Sequence, residues 1–394
     1  MTDAVLAVKT VVYTVVLVKT VVHEALASGL VGDVAGIAVH SLKEAFDSAL
    51  ESDGSLLDRL ELFATEAANN FSTNFMAALP ALSPKIVAVG QQSLGDLRSM
   101  GVYDDLLGTL IADGHRFGLF EDGVPEFVTD AIDPDERLAR TQDALSDSEA
   151  ALDGRLQIDA NGNIIPTDVA SLFASSSQID GIGQDDFANI RIFKTIGEDG
   201  TVRYTVQIPS TQSWDPEAGT TPNDLSSDVI AMRYGNNSAL STAVMDAMKR
   251  EGITDEPVML VGFSLGGITA GTIAADPHGY NIQQVVSAGA PIGAMPIPSS
   301  THVTSFESTS DPVAALDGRL NPDSSSWQTV RGDAPVKPTE GGQQPTLVNA
   351  HDANRYAVMA QDNPSVNLSS DIGQFLGGKG NQTSVNDWEV ERKQ

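Results

Sequence analysis

Ser264 lies in the run Gly262-Phe263-Ser264-Leu265-Gly266. The apolar stretch Val258-Met259-Leu260-Val261 precedes it, and Gly267, Ala270, Gly271, Ala274 and Ala275 follow. A free serine hydroxyl is barely nucleophilic at neutral pH and must be aimed and deprotonated by its surroundings. A strand that turns sharply into a helix does the aiming. The serine takes a strained turn, and glycines two residues to either side let strand and helix pass close together. The backbone N–H of Leu265, at the helix start, then faces an oxyanion forming on an attacked carbonyl. The five-residue pattern alone is common, and the strand formers before it and small residues after it make this occurrence specific. The plainer alternative is a Gly-rich strand-to-helix turn with an idle serine.

A nucleophilic serine needs a base and an acid. Where such an elbow serves a sheet, the acid follows the serine in the chain and the histidine comes last. Three histidines lie beyond Ser264: His278, His302 and His351. Residues 282–290 and 302–308 read as two further strands, and the loop leaving the second carries Ser310-Asp311-Pro312-Val313. Downstream of Asp311 the one histidine is His351, in Asn349-Ala350-His351-Asp352. His351 would take the Ser264 proton, while Asp311 would hold the imidazole tautomer and stabilise the imidazolium. Other uses stand beside these. Asp311 suits a turn cap before Pro312, Glu307 and Asp317 are competing acids, and His351 suits a solvated helix start. His278 reads as loop surface, and His23, His40 and His115 as packing or surface residues.

A second oxyanion donor should come from the loop after an earlier strand. Residues 201–208 alternate as a strand and end in Ile208-Pro209-Ser210-Thr211-Gln212-Ser213-Trp214, where Thr211 offers a backbone N–H and a hydroxyl. A Pro-Ser turn without chemistry is the rival reading.

On these residues the chain resembles the α/β-hydrolase superfamily of serine esterases and lipases. The elbow at Ser264, the post-strand Asp311 and the late His351 follow that family's order. Residues 210–214 are similar to the oxyanion loop of class 3 lipases. The resemblance covers roughly residues 155–360. It implies a mostly parallel, eight-strand-type sheet flanked by helices and carboxylic ester hydrolysis; no H-E-x-x-H, EF-hand or P-loop pattern occurs in the sequence, so no cofactor or metal is expected. Two residues depart from the family pattern: Phe263 stands where many lipases carry histidine, and Ser210 where the oxyanion loop usually carries glycine. The same triad serves thioesters and peptides as well as esters. A rival of another class is a non-catalytic helical interaction protein with a degenerate hydrolase domain.

Composition sets outer limits. The chain has 394 residues with 41% hydrophobic content, enough for a sizeable core. Fifty-three acidic against 23 basic side chains give a formal charge of −30, which argues against nucleic acid and against an anionic membrane as partners. There is no cysteine, which excludes disulfides, zinc-thiolate sites and a thiol nucleophile. Asp159-Ala160-Asn161-Gly162-Asn163 reads as an Asn-Gly turn rather than a calcium loop, because Ile164 occupies the turn-glycine position.

The remaining elements must position this site. Residues 4–27 hold nine valines, with Val-Lys-Thr-Val-Val occurring twice, and read as a mostly buried helix with a narrow polar stripe. Lys9 and Lys19 interrupt the run, so it does not span a bilayer. The start lacks a basic n-region and a cleavage site, so a cleaved signal peptide is not expected. Helical patterns over 33–50, 55–79 and 135–152 predict an all-helical domain over 1–152. That domain packs on the hydrolase part, covers its cleft as a lid, touches a lipid surface or docks a partner. Residues 153–193 read as a loop-rich connector, with a hairpin around Glu198-Asp199-Gly200 after it. The catalytic domain spans 153–376, and 377–394 form a frayed polar tail. The expected partner is a small-molecule or lipid ester.

Overall fold

The computed structural model describes residues 20–51 except 22 and 26, 56–152 except 130, 156–333, and 349–393 except 379. The reading of residues 4–27 therefore falls largely outside the described residues.

Strand β4 (Pro257–Phe263) shows why the sheet sits at the centre. Its side chains alternate between two apolar layers. Val258 and Leu260 join one core cluster, while Met259, Val261 and Phe263 join the other. A strand apolar on both faces must be covered on both faces. On the first face lie helices α7 (Ala239–Arg250) and α8 (Leu265–Ala275), through Leu240, Val244, Ile268 and Ile273. On the second lie α5 (Val169–Gly183) and α9 (Ala353–Gln361), through Leu172, Phe173, Tyr356 and Met359.

The sheet has eight strands. β3 (Val202–Ile208), β4, β5 (Asn281–Ala288), β6 (His302–Ser308) and β7 (Trp327–Gly332) run parallel and adjacent in that order. On the other side of β3, strands β2 (Ala188–Ile196), β8 (Gln382–Lys393) and β1 (Val124–Val128) extend the sheet by antiparallel pairing, giving the order β1-β8-β2-β3-β4-β5-β6-β7. The fold is thus an α/β fold, a mixed eight-stranded sheet with helices on both faces. β2 and β3 form the expected hairpin, turning at Gly200 with φ 74°.

Three expectations need correction. The tail beyond residue 377 is not frayed, because β8 is an interior strand between β1 and β2. Its alternate charges are paired rather than solvated. Asp387 accepts from Arg191 at 2.7 Å and Arg137 at 2.9 Å, and Glu389 pairs with Arg137. On the opposite side of the strand, the buried Arg392 binds Asp224 and Asp122.

The all-helical reading of 1–152 also breaks down, since Val124–Val128 is the sheet's edge strand. After it α4 (Pro134–Leu152) packs on α5 and α9. Lastly, the connector over 153–193 contains α5. Asp168 caps it by accepting from Ser171 N, and the Ser171 side chain answers back. Helix α5 packs against both sheet and helices and is buried along most of its length. No apolar stripe therefore marks it in the sequence.

Earlier in the chain, α1 (Leu30–Glu51) packs on α2 (Leu56–Ser99), which leads to α3 (Tyr103–His115). The end of this region grips the loop after β6. Arg98 Nε donates to Asp317 O at 2.7 Å, and Tyr103 Oη to Leu316 O at 2.6 Å. No helix among the described residues is long and apolar enough to cross a membrane.

Candidate active site

The carboxyl ends of parallel strands collect the loops where such sheets place their sites. Ser264 follows the last residue of β4 and is the N-cap of α8, with φ 54° and ψ −124°. A non-glycine residue there is strained and persists only where its surroundings over-determine it. Its N–H donates to Ala288 O at 2.9 Å, and its carbonyl accepts from Ile268 N at 3.0 Å, so the turn is pinned to β5 and to its own helix. Two glycines make room. A Cβ on Gly262 would lie 2.0 Å from Gly266 C, and one on Gly266 would lie 2.2 Å from Ile208 O. The helix start therefore abuts the end of β3, and with it the Ser210–Thr211 loop.

Three side chains from three loops meet at this point. Ser264 Oγ lies 2.8 Å from His351 Nε2, and His351 Nδ1 lies 2.7 Å from Asp311 Oδ2. The chain of contacts is continuous from hydroxyl to carboxylate. His351 precedes α9, whose N-cap is Asp352, accepting from Arg355 N at 3.0 Å. Asp311 is 1% exposed, and its oxygens divide the work. Oδ1 accepts from Val313 N at 2.9 Å, the turn-capping use, while Oδ2 faces the imidazole. Capping and orienting are thus done by one side chain.

The competing acids are occupied elsewhere. Glu307 holds Arg331 and accepts from Asn321 Nδ2 at 2.6 Å, and Asp317 accepts from Ala294 N at 2.9 Å and Arg319 N at 3.1 Å. His278 lies on an exposed loop beside Asp276, and His115 bonds Phe120 O.

Two further residues flank these three: Tyr356, which the sequence did not mark, and Phe263, which it marked only as a departure from the lipase pattern. Tyr356 Oη donates to Asp311 Oδ2 at 2.6 Å and accepts from Ser308 N at 3.2 Å. Burial, then the Asp311 charge, push its phenol well above the ordinary range, so it remains a donor. Phe263 lays its ring on His351, with centroids 4.4 Å apart, and fixes the imidazole from one side.

Leu265 N–H belongs to the first turn of α8, where helix N–H groups have no intrahelical partner. Thr211 is buried, and its hydroxyl donates to Asp228 Oδ2 at 2.8 Å. The hydroxyl is thus committed to the carboxyl group of Asp228. Ser210 has a use for its side chain. Its N–H and Oγ both donate to Asp180, at 2.8 and 2.6 Å. Burial pushes Asp180 up to about 7 against those two hydrogen bonds, with the nearby Asp352 adding to the rise. Burial likewise pushes Asp228 up to about 7, opposed by Thr211 and aided by Asp224. Both supports of the loop are thus carboxyls that titrate near neutrality.

A cavity of about 450 Å³ opens over Ser264, His351 and Thr211. No protein-family model, curated protein or solved structure matches this chain.

Proposed function

We propose that this chain is a serine hydrolase of carboxylic esters, built on an α/β-hydrolase-type sheet. One observation carries the reading: the unbroken contact series from Ser264 Oγ through His351 to Asp311, anchored on a positive-φ serine at a helix start. His351 Nε2 takes the Ser264 proton as Oγ attacks the ester carbonyl. Asp311 keeps Nδ1 protonated and stabilises the imidazolium. The tetrahedral oxyanion is met by the N–H groups of Leu265 and Thr211. His351 then returns the proton to the leaving alcohol, leaving an acyl-Ser264. Water, deprotonated by His351, releases the carboxylic acid and restores the serine.

The cavity lining favours short or polar esters over long acyl chains. Its side chains include the exposed carboxylates of Asp143 and Asp147, and an apolar chain would strip water from these charges. Among the described residues, the N-terminal half contributes to this lining through α4 alone. That supports a packing role for α1 to α3 over a lid role.

The test is hydrolysis of p-nitrophenyl acetate and butyrate, together with labelling by a fluorophosphonate. Turnover and a label on Ser264, both lost in Ser264→Ala, are expected. No label and no turnover would leave the non-catalytic interaction protein standing instead.

A further inference from the structure

The cavity over Ser264 is more specific in its charge than in its shape. Four carboxylates line it: Asp143 and Asp147, one turn apart on α4, Asp180 on α5, and Asp352 at the start of α9. They come from three elements that the fold brings to one opening. The one cation in the lining, Arg140, is already matched. Its Nη2 donates to Glu136 at 2.5 Å and to Asp186 at 2.7 Å, so it brings no free positive charge to a ligand. Trp214 also lines the opening, with 59% of its surface exposed.

Carboxylates convergent in a concave, partly dry space raise the local concentration of cations and repel anions. An exposed indole adds a face that attracts ammonium groups. The general acidity of the chain does not account for this arrangement, because surface charge in water need not converge on a nucleophile or pair with an exposed tryptophan. An anionic ester would meet the charges of Asp143, Asp147 and Asp352, and that of Asp180 in its ionised form.

Resting on the hydrolase reading above, we propose that the ester this cavity accepts carries an ammonium group, seated among Asp143, Asp147, Asp180, Asp352 and the face of Trp214. A bound cation beside Asp180 holds that carboxyl ionised, and the ionised form is the one that accepts both hydrogen bonds from Ser210. Substrate charge and the oxyanion loop are thereby coupled. The same field also repels the carboxylate product.

Two matched pairs of esters test this on the full chain. Butyrylcholine against 3,3-dimethylbutyl butyrate places the charge on the alcohol. Methyl 4-(trimethylammonio)butyrate against methyl 5,5-dimethylhexanoate places it on the acyl group. In at least one pair the cationic member is expected to show kcat/KM about tenfold higher or more at low ionic strength. The gap should narrow several-fold in about 0.5 M salt as the field is screened. The double substitution Asp143→Asn/Asp147→Asn, on the exposed rim, should lower the cationic-to-neutral ratio several-fold. Equal or better turnover of the uncharged member in both pairs overturns the proposal, as does a ratio unmoved by the double substitution. If the wild-type chain hydrolyses none of the four esters nor p-nitrophenyl acetate, the hydrolase reading itself falls and takes this proposal with it.

Discussion

Tyr356 and His351 share one oxygen. The phenol hydroxyl and imidazole Nδ1 both lie on Asp311 Oδ2, at 2.6 and 2.7 Å. The position of the acid is therefore set by two donors, one of which does not take part in proton transfer. Tyr356→Phe removes that donor and leaves Ser308 N–H without its acceptor in a buried site. A loss of about 1–3 kcal/mol in stability is expected, by denaturant titration. With it should come a fall in kcat of roughly tenfold and little change in KM, because Tyr356 touches Asp311 and not the cavity. An unchanged kcat would mean that His351 is oriented without the phenol.

Asp311→Asn should keep the fold and lower kcat by on the order of 10⁴, since an amide accepts from Val313 N as well as a carboxylate but favours the wrong imidazole tautomer. Circular dichroism and ester turnover measured on one preparation separate the two effects. Comparable activity in the variant would transfer the acid's role to another residue.

Gly289 faces the triad with φ 58°. A Cβ there would lie 2.9 Å from Asp311 Oδ2 and 3.2 Å from His351 Cε1. Gly289→Ala should cost about 1–2 kcal/mol from the left-handed backbone alone. It should also displace the acid and imidazole, lowering kcat by at least tenfold, because small misplacements of catalytic groups are expensive. Wild-type kcat in this variant would show that the contact is slack.

Asp180 and Asp228 both have folded-state values of about 7, above the 3.8 of an unperturbed aspartate. Between about pH 4 and 7 the folded chain thus holds protons that the unfolded chain has released. Stability contributed by these groups falls as pH rises through that window and levels off above it. Asp228→Asn carries no such proton. Its melting temperature relative to wild type should improve by a few degrees between pH 5 and 8, on the order of a few kcal/mol at most. A difference constant across that range would place the titration elsewhere.

Arg392 is fully buried between Asp224 and Asp122. Arg392→Ala leaves two buried carboxylates without their cation and should destabilise the fold by about 3–5 kcal/mol. Thermal melts check this directly. A loss below about 1 kcal/mol would mean that β8 is held by its backbone pairing alone.

What could be read without coordinates followed from local grammar. Ser264, Asp311 and His351 each sit beside punctuation that survives in one dimension: glycines around an elbow, an Asp-Pro after a strand, an Asp-capped helix start. Strand β4 is apolar on both faces and runs straight into the elbow, so it too stands out. Features that depend on remote partners did not. The alternating charges of β8 look like a solvated tail until Arg137 and Arg191 arrive from elsewhere. Helix α5 hides its period because it is buried along most of its length. Tyr356 and Asp180 are ordinary residues of ordinary helices, and only the fold brings one to Asp311 and the other to Ser210.

Because β8 lies between β1 and β2, the segment Val124–Val128 has no neighbour in the sheet until Gln382–Lys393 has docked. A nascent chain must therefore carry a bare, hydrogen-bond-hungry flank on β2 from the completion of that strand until Gln382–Lys393 has been made, a hazard for wrong pairing. Assembly closes from both directions at once. No cut between an early half and a late half yields a piece with a finished sheet.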